Sequence, residues 1–132
     1  MSIEYHEDDA ASVVEFHVTG HISQADYLQI VEQLQAFIDR HGTVRMIEVV
    51  QNVPTFDPSI LLPGLKFDLR NLRHISHVAV VSDIGWMSPV VKAAGAVIST
   101  RMRTFAMQDL DAARAWVRRA DPDDDAAGPA PA

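Results

Sequence analysis

The sequence predicts an α/β domain built on a mixed, mostly parallel sheet of about five strands, with an N-terminal β-hairpin and four helices. Three observations carry this expectation. Val78 to Val81 is a short apolar run bounded by turn residues, the pattern of a strand buried on both faces. Segments with helical and extended patterning alternate on either side of it, the order of βαβ units. At the N-terminus, two short extended segments are separated by a brief acidic stretch, a hairpin spacing.

Taken in order, Ile3 to His6 is a brief extended segment, broken by the acidic loop Glu7 to Ala11. From Ser12 to Thr19, Val14, Phe16 and Val18 alternate with Glu15 and His17, which predicts a strand with one wet face. Gly20-His21-Ile22 is expected as a turn. Ser23 then starts a helix, with Asp26 three residues on in a variant of the capping box and placed against the positive end of the helix dipole. Tyr27, Ile30, Val31, Leu34, Phe37 and Ile38 form one apolar stripe, and Gly42 stops the helix.

Val44 to Val50 is a second buried strand, and the crossover into it should be right-handed. Gln51 to Pro63 contains three prolines and is expected to be irregular rather than a central strand. Gly64 to Arg73 is expected as a short helix with Lys66, Arg70 and Arg73 along one side. After Val78 to Val81, Ser82-Asp83 forms a turn leading to Trp86. Ser88-Pro89 opens a helix to about Ile98 that is rich in small residues. Met102 to Ala106 is the last strand, and Asp109 caps a final helix packed through Leu110, Ala113, Ala115, Trp116 and Val117. Residues 1–120 thus form one domain, followed by an acidic, Pro/Ala-rich tail over 121–132 expected to be disordered.

Composition narrows the function classes. With 132 residues, 48% hydrophobic and 22% charged, the chain suits one globular domain. It contains no cysteine, which excludes disulfides, thiolate nucleophiles and cysteine-held metals and fits a reducing, cytoplasmic setting. No window approaches the roughly 18 apolar residues of a membrane span. Residues 1–39 hold eight acids and no Lys or Arg, whereas residues 40–120 hold all eleven bases against six acids. Such blocks either neutralise one another across the fold or steer partners and second copies. The acidic balance, and bases without interleaved aromatics, argue against nucleic acid.

Gly20-His21-Ile22-Ser23-Gln24-Ala25-Asp26-Tyr27, the strand stretch Val78 to Trp86 and the closing MRTFAMQDLDAARAWV from Met102 to Val117 together resemble the SpoIIAA-like proteins. These are relatives of the STAS domain of anti-sigma-factor antagonists, in a branch made up mostly of uncharacterised bacterial proteins. The resemblance covers roughly residues 3–118. It implies a β-α superhelix, similar in outline to the lipid-binding CRAL-TRIO domain, and a non-enzymatic binding module. Better-known STAS domains are switched by phosphorylation of a serine at a helix start after the third strand. The nearest counterpart here is Ser59 in Phe56-Asp57-Pro58-Ser59, where Pro58 and Ile60 depart from the D-S-S-G type of pattern. A phosphate there would sit beside Lys66 and Arg70. The alternative is that Ser59 only caps a turn.

No H-E-x-x-H, glycine-rich phosphate loop or G-x-S-x-G turn is present, and the six histidines lack ligand spacing, so no metal and no cofactor is expected. Asp83, with no His or Lys near it in sequence, reads as a turn former. Trp86 either covers the sheet edge or joins Phe56, Leu61, Leu62, Phe67, Met87 and Val90 around an apolar surface. Two functions follow. One is a protein-interaction or regulatory module, expected as a homodimer. The other is a carrier or sensor of a small apolar, lipid-like ligand held between residues 53–69 and 84–98.

Overall fold

In the computed structural model of the chain, the residues described are 3–56, 70–85 and 101–119. Five strands lie side by side in chain order: β1 (Ile3–Asp8), β2 (Val13–Ile22), β3 (Val44–Phe56), β4 (Ile75–Val81) and β5 (Arg101–Phe105). β1 runs antiparallel to β2, and every later pairing is parallel. The mixed, mostly parallel sheet and its N-terminal hairpin therefore match the expectation. The four-helix count does not: the described residues contain two α-helices, α1 (Gln24–His41) and α2 (Leu110–Arg119). The helices expected over 64–73 and 88–98 fall largely outside the described residues. Of the first, Arg70 and Asn71 are helical and lead into a 3₁₀ turn, Leu72–His74. None of the described helices is long and apolar enough to cross a membrane.

Local chemistry sets the ends of α1. The Asp26 amide donates to Ser23 Oγ at 3.1 Å, satisfying one of the helix's unpaired first-turn donors. At the other end Gly42 adopts φ 80°, and its amide donates to the Ile38 carbonyl at 2.7 Å. Between these caps Ile30, Leu34, Phe37 and Ile38 are buried. They pack on Val14 and Phe16 of β2, Val44 and Met46 of β3, and Val78 and Val80 of β4. The buried Asn71 amide donates to Gln35 Oε1 at 2.9 Å and ties the segment before β4 to α1.

Because side chains alternate along a strand, the neighbouring residues Val13, Ile47, Val49, Ala79 and Val81 face the other way. A second core covers them, closed by Phe105 and by Ala113, Trp116 and Val117 of α2. Trp116 is its centre. The His77 ring meets it edge-on at 5.3 Å, Phe105 lies 6.1 Å away, and the Arg103 guanidinium stands 5.4 Å from its ring. The sheet is thus sandwiched, α1 on one face and α2 on the other. Ala115, expected in this core, faces solvent.

Two expectations along β2 and β3 are corrected. Gly20-His21-Ile22 is not a turn but the end of β2. Likewise β3 does not stop at Val50 but runs to Phe56, through Pro54. The register explains both. Pairing passes from Thr19↔Gln51 directly to His21↔Thr55, so Gly20, at φ 73°, stands opposite residues 52–54 in a bulge. The pairing of β3 with β4 ends at Val49↔Val81, so beyond Val50 the only described neighbour of β3 is β2. Where β3 has no described partner on one side, a proline can stand that a strand paired on both sides excludes.

Candidate functional site

Of the residues singled out from sequence, Phe56 is placed at the end of β3, in register with Ile22. Ser59, Leu61, Leu62, Phe67, Trp86, Met87 and Val90 lie outside the described residues, and with them the apolar pocket between 53–69 and 84–98. The tail expected from Asp121 lies outside them too. Asp83, expected as a turn former, makes a long-range contact: its carboxylate accepts from the Met107 amide at 3.0 Å and ties the end of β4 to the entry of the last helix, while Ser82 Oγ accepts the turn bond from the Ile84 amide.

The described residues assemble a different site, on the β1–β2 hairpin. α2 packs over β3, β4 and β5 and reaches the β1–β2 ribbon through Arg114 and Arg118. The ribbon made by β1 and β2 forms a ledge beneath the edge of α2. A cleft of about 370 Å3 lies there, floored by Glu4, His6, Asp8, Glu15 and His17 and overhung by Arg114 and Arg118.

Glu15 is its anchor. Read as the wet face of β2, this side chain is instead buried, at 8% exposure. A buried carboxylate needs hydrogen bonds, and it accepts three from two partners. Arg114 Nε donates to Oε1 at 2.8 Å, Arg114 Nη2 to Oε2 at 2.7 Å, and His17 Nε2 to Oε2 at 2.6 Å. The Arg114 guanidinium, assisted by His17, holds the carboxyl down to about 2 against burial, which acts the other way. Glu15 in turn raises the affinity of Arg114 for its proton. The His6 ring meets His17 edge-on at 6.2 Å, and Arg118 Nη2 reaches Asp8 Oδ2 at 3.2 Å.

On the opposite face of β1 lies a second cleft of about 410 Å3, between Ile3 and Tyr5 and the α1 residues Gln29, Ile30 and Gln33. Tyr5 leans on Phe16 at 5.3 Å and donates to Glu7 at 2.5 Å. Burial and this carboxylate raise its phenol well above the usual range. Glu4 borders both clefts.

The hairpin turn carries a third constellation. Ser12 sits at φ 57°, a left-handed conformation that a side chain disfavours. Its Oγ lies 3.0 Å from His41 Nδ1, and His41 Nε2 donates to Asp9 at 2.8 Å. Hydroxyl, imidazole and carboxylate in a row have the connectivity of an activated nucleophile. Arg40 also claims the same Asp9 oxygen, at 2.8 Å. His41 and Arg40 together hold the Asp9 carboxyl below the ordinary carboxylate range. The Asp9 side chain is 65% exposed, and Ser12 lines neither of the two clefts. The row serves to latch the hairpin turn to the end of α1.

The ion pairs reveal what the charge blocks do. Arg40, Arg114 and Arg118 reach back to Asp9 with Glu7, to Glu15 and to Asp8, so the later bases neutralise much of the acidic N-terminal segment. No spacing rule links Glu15 to Arg114. The one signal for the site was a carboxylate interrupting an apolar strand. Among the described residues, no group of three or more His, Asp or Glu could hold a metal.

No curated protein matches the chain. Among solved structures, it is similar to an uncharacterised protein of the DUF3478 family with a SpoIIAA-like fold from Shewanella loihica. That likeness has a TM-score of 0.72 at 15% identity, spanning 88% of this chain and 94% of that one, and shows a shared fold. The SpoIIAA-like family model matches residues 13–118, from the first residue of β2 to the penultimate residue of α2. With most of its length matched, the chain belongs to the SpoIIAA-like family.

Proposed function

We propose that this chain is a non-enzymatic interaction module with a regulatory role, binding another protein or a second copy of itself. The observation that supports this reading is the hairpin, whose outer edge no described element pairs with. β1 is an edge strand of the sheet with a cleft against each face, and the site beside it is built of charged groups on a rigid ion-paired base. Family membership adds weight, because related STAS domains act through protein contacts. The commitment of Asp9 to Arg40 supports the non-enzymatic half of the reading.

Light scattering after size exclusion, with affinity capture from the source cell, tests the first half. A dimer or a stoichiometric partner is expected, and a monomer with no recoverable partner overturns it. A serine-reactive fluorophosphonate tests the second. No labelling is expected, and labelling that disappears in Ser12→Ala reverses the conclusion.

A further inference from the structure

We infer that the outer edge of β1 is a docking strand for an extended segment of a partner protein bearing Lys or Arg at alternate positions. This inference rests on the interaction reading above and names its site and partner chemistry. Three observations lead to it.

The first is backbone. β1 has six residues and, among the described residues, pairs on one side only, with β2. Alternate residues of such an edge turn their amide and carbonyl groups outward, a template for one more strand. The second is the pair of clefts. A strand added to β1 sends successive side chains to opposite faces, and each face of β1 has a cleft, of about 370 and 410 Å3. Backbone pairing supplies affinity and the two clefts read alternate residues.

The third is charge. On the α2 side, Glu4, Asp8 and Glu15 face two arginines, and both arginines are already engaged, on Glu15 and on Asp8, while Glu7 is held by Arg40 and Tyr5. Among the described residues no ion pair engages Glu4, which is exposed and borders both clefts. The uncompensated charge is thus negative and lies at the edge.

The test uses the full chain and fluorescein-labelled eight-residue peptides titrated by anisotropy. One alternates Lys with Val and Thr, the second has the same composition with its lysines in one block, and the third replaces Lys by Glu. The alternating peptide is expected to bind at least tenfold more tightly than the blocked one, and the Glu peptide not at all. Glu4→Lys is expected to weaken binding at least fivefold, and Glu4→Gln by a smaller factor, both with unchanged circular dichroism. Amide exchange along β1 is expected to slow on addition of the alternating peptide. Equal affinity for the alternating and blocked peptides, or binding without protection of β1, overturns the inference. So does a captured partner whose binding ignores Glu4→Lys, which leaves the broader interaction reading standing. A chain that takes neither peptide nor partner removes both.

Discussion

Arg114 closes on both oxygens of Glu15, at 2.8 and 2.7 Å, and so joins α2 to β2 across 99 residues of chain. The contact makes the last helix part of the hairpin's own structure. It also makes the ledge beside β1 a rigid surface rather than a set of loose side chains.

Removing one partner of this pair leaves a buried carboxylate uncompensated. A fully buried pair broken this way costs about 3–5 kcal/mol. Arg114 is 38% exposed, so Arg114→Ala is expected to cost about 2–3 kcal/mol. Arg114→Ala together with Glu15→Gln should recover part of that loss. Urea denaturation of the two single variants and the double variant measures it.

The same pair gives the fold an acid sensitivity. The folded-state value for Glu15 is about 2, below its ordinary 4.5, so its contribution is fully present above pH 4.5 and declines as pH falls toward 2. Allowing for solvent screening at Arg114, the loss is about 2 kcal/mol. Glu15→Gln should show a flatter stability profile across that window. An unchanged slope in the variant would assign the acid sensitivity to other carboxylates.

Ser12 separates strain from hydrogen bonding. Ser12→Ala loses the contact with His41 and keeps the φ of 57° that a side chain resists. Ser12→Gly loses the same contact and relieves the backbone. The glycine variant should therefore be more stable than the alanine variant by about 1 kcal/mol. Paired urea midpoints decide it, and a reversed order would show that the turn relaxes on mutation.

Trp116 is 4% exposed and touched by His77, Phe105 and Arg103. Trp116→Ala is expected to cost about 3–5 kcal/mol and Trp116→Phe less than half of that. Thermal and urea unfolding of both variants measure the difference, and near-equal losses would mean that the ring edge, not the volume, matters.

What could be read in advance followed locality. Ser23, the α1 stripe and Gly42 act within a few residues of one another, and each took its expected role. So did Ser82, whose Oγ accepts from the Ile84 amide in the turn, whereas Asp83 reaches the Met107 amide 24 residues on. The extension of β3 past Val50 was hidden because it depends on where β4 ends, a fact about another strand. Glu15 was taken as solvent-facing because alternation alone cannot say that a helix about a hundred residues later covers that face. Ala115 missed the core because the stripe on α2 passes through Ala113, Trp116 and Val117 instead. The hairpin site was therefore illegible except as an acidic block awaiting its bases.

The placement of the two helices on opposite faces also sets an order of events during synthesis. Among the described residues, the buried members of the α1 core all precede β5, whereas the described cover of Val13, Ile47, Val49, Ala79 and Val81 comes from Phe105 and α2. A nascent chain thus passes through a half-covered stage with a strip of valine and isoleucine open to chaperones or to other unfinished chains. Cuts or premature stops between β4 and α2 would hold the protein in that stage, so its hazard in the cell is incomplete translation more than point substitution on its surface.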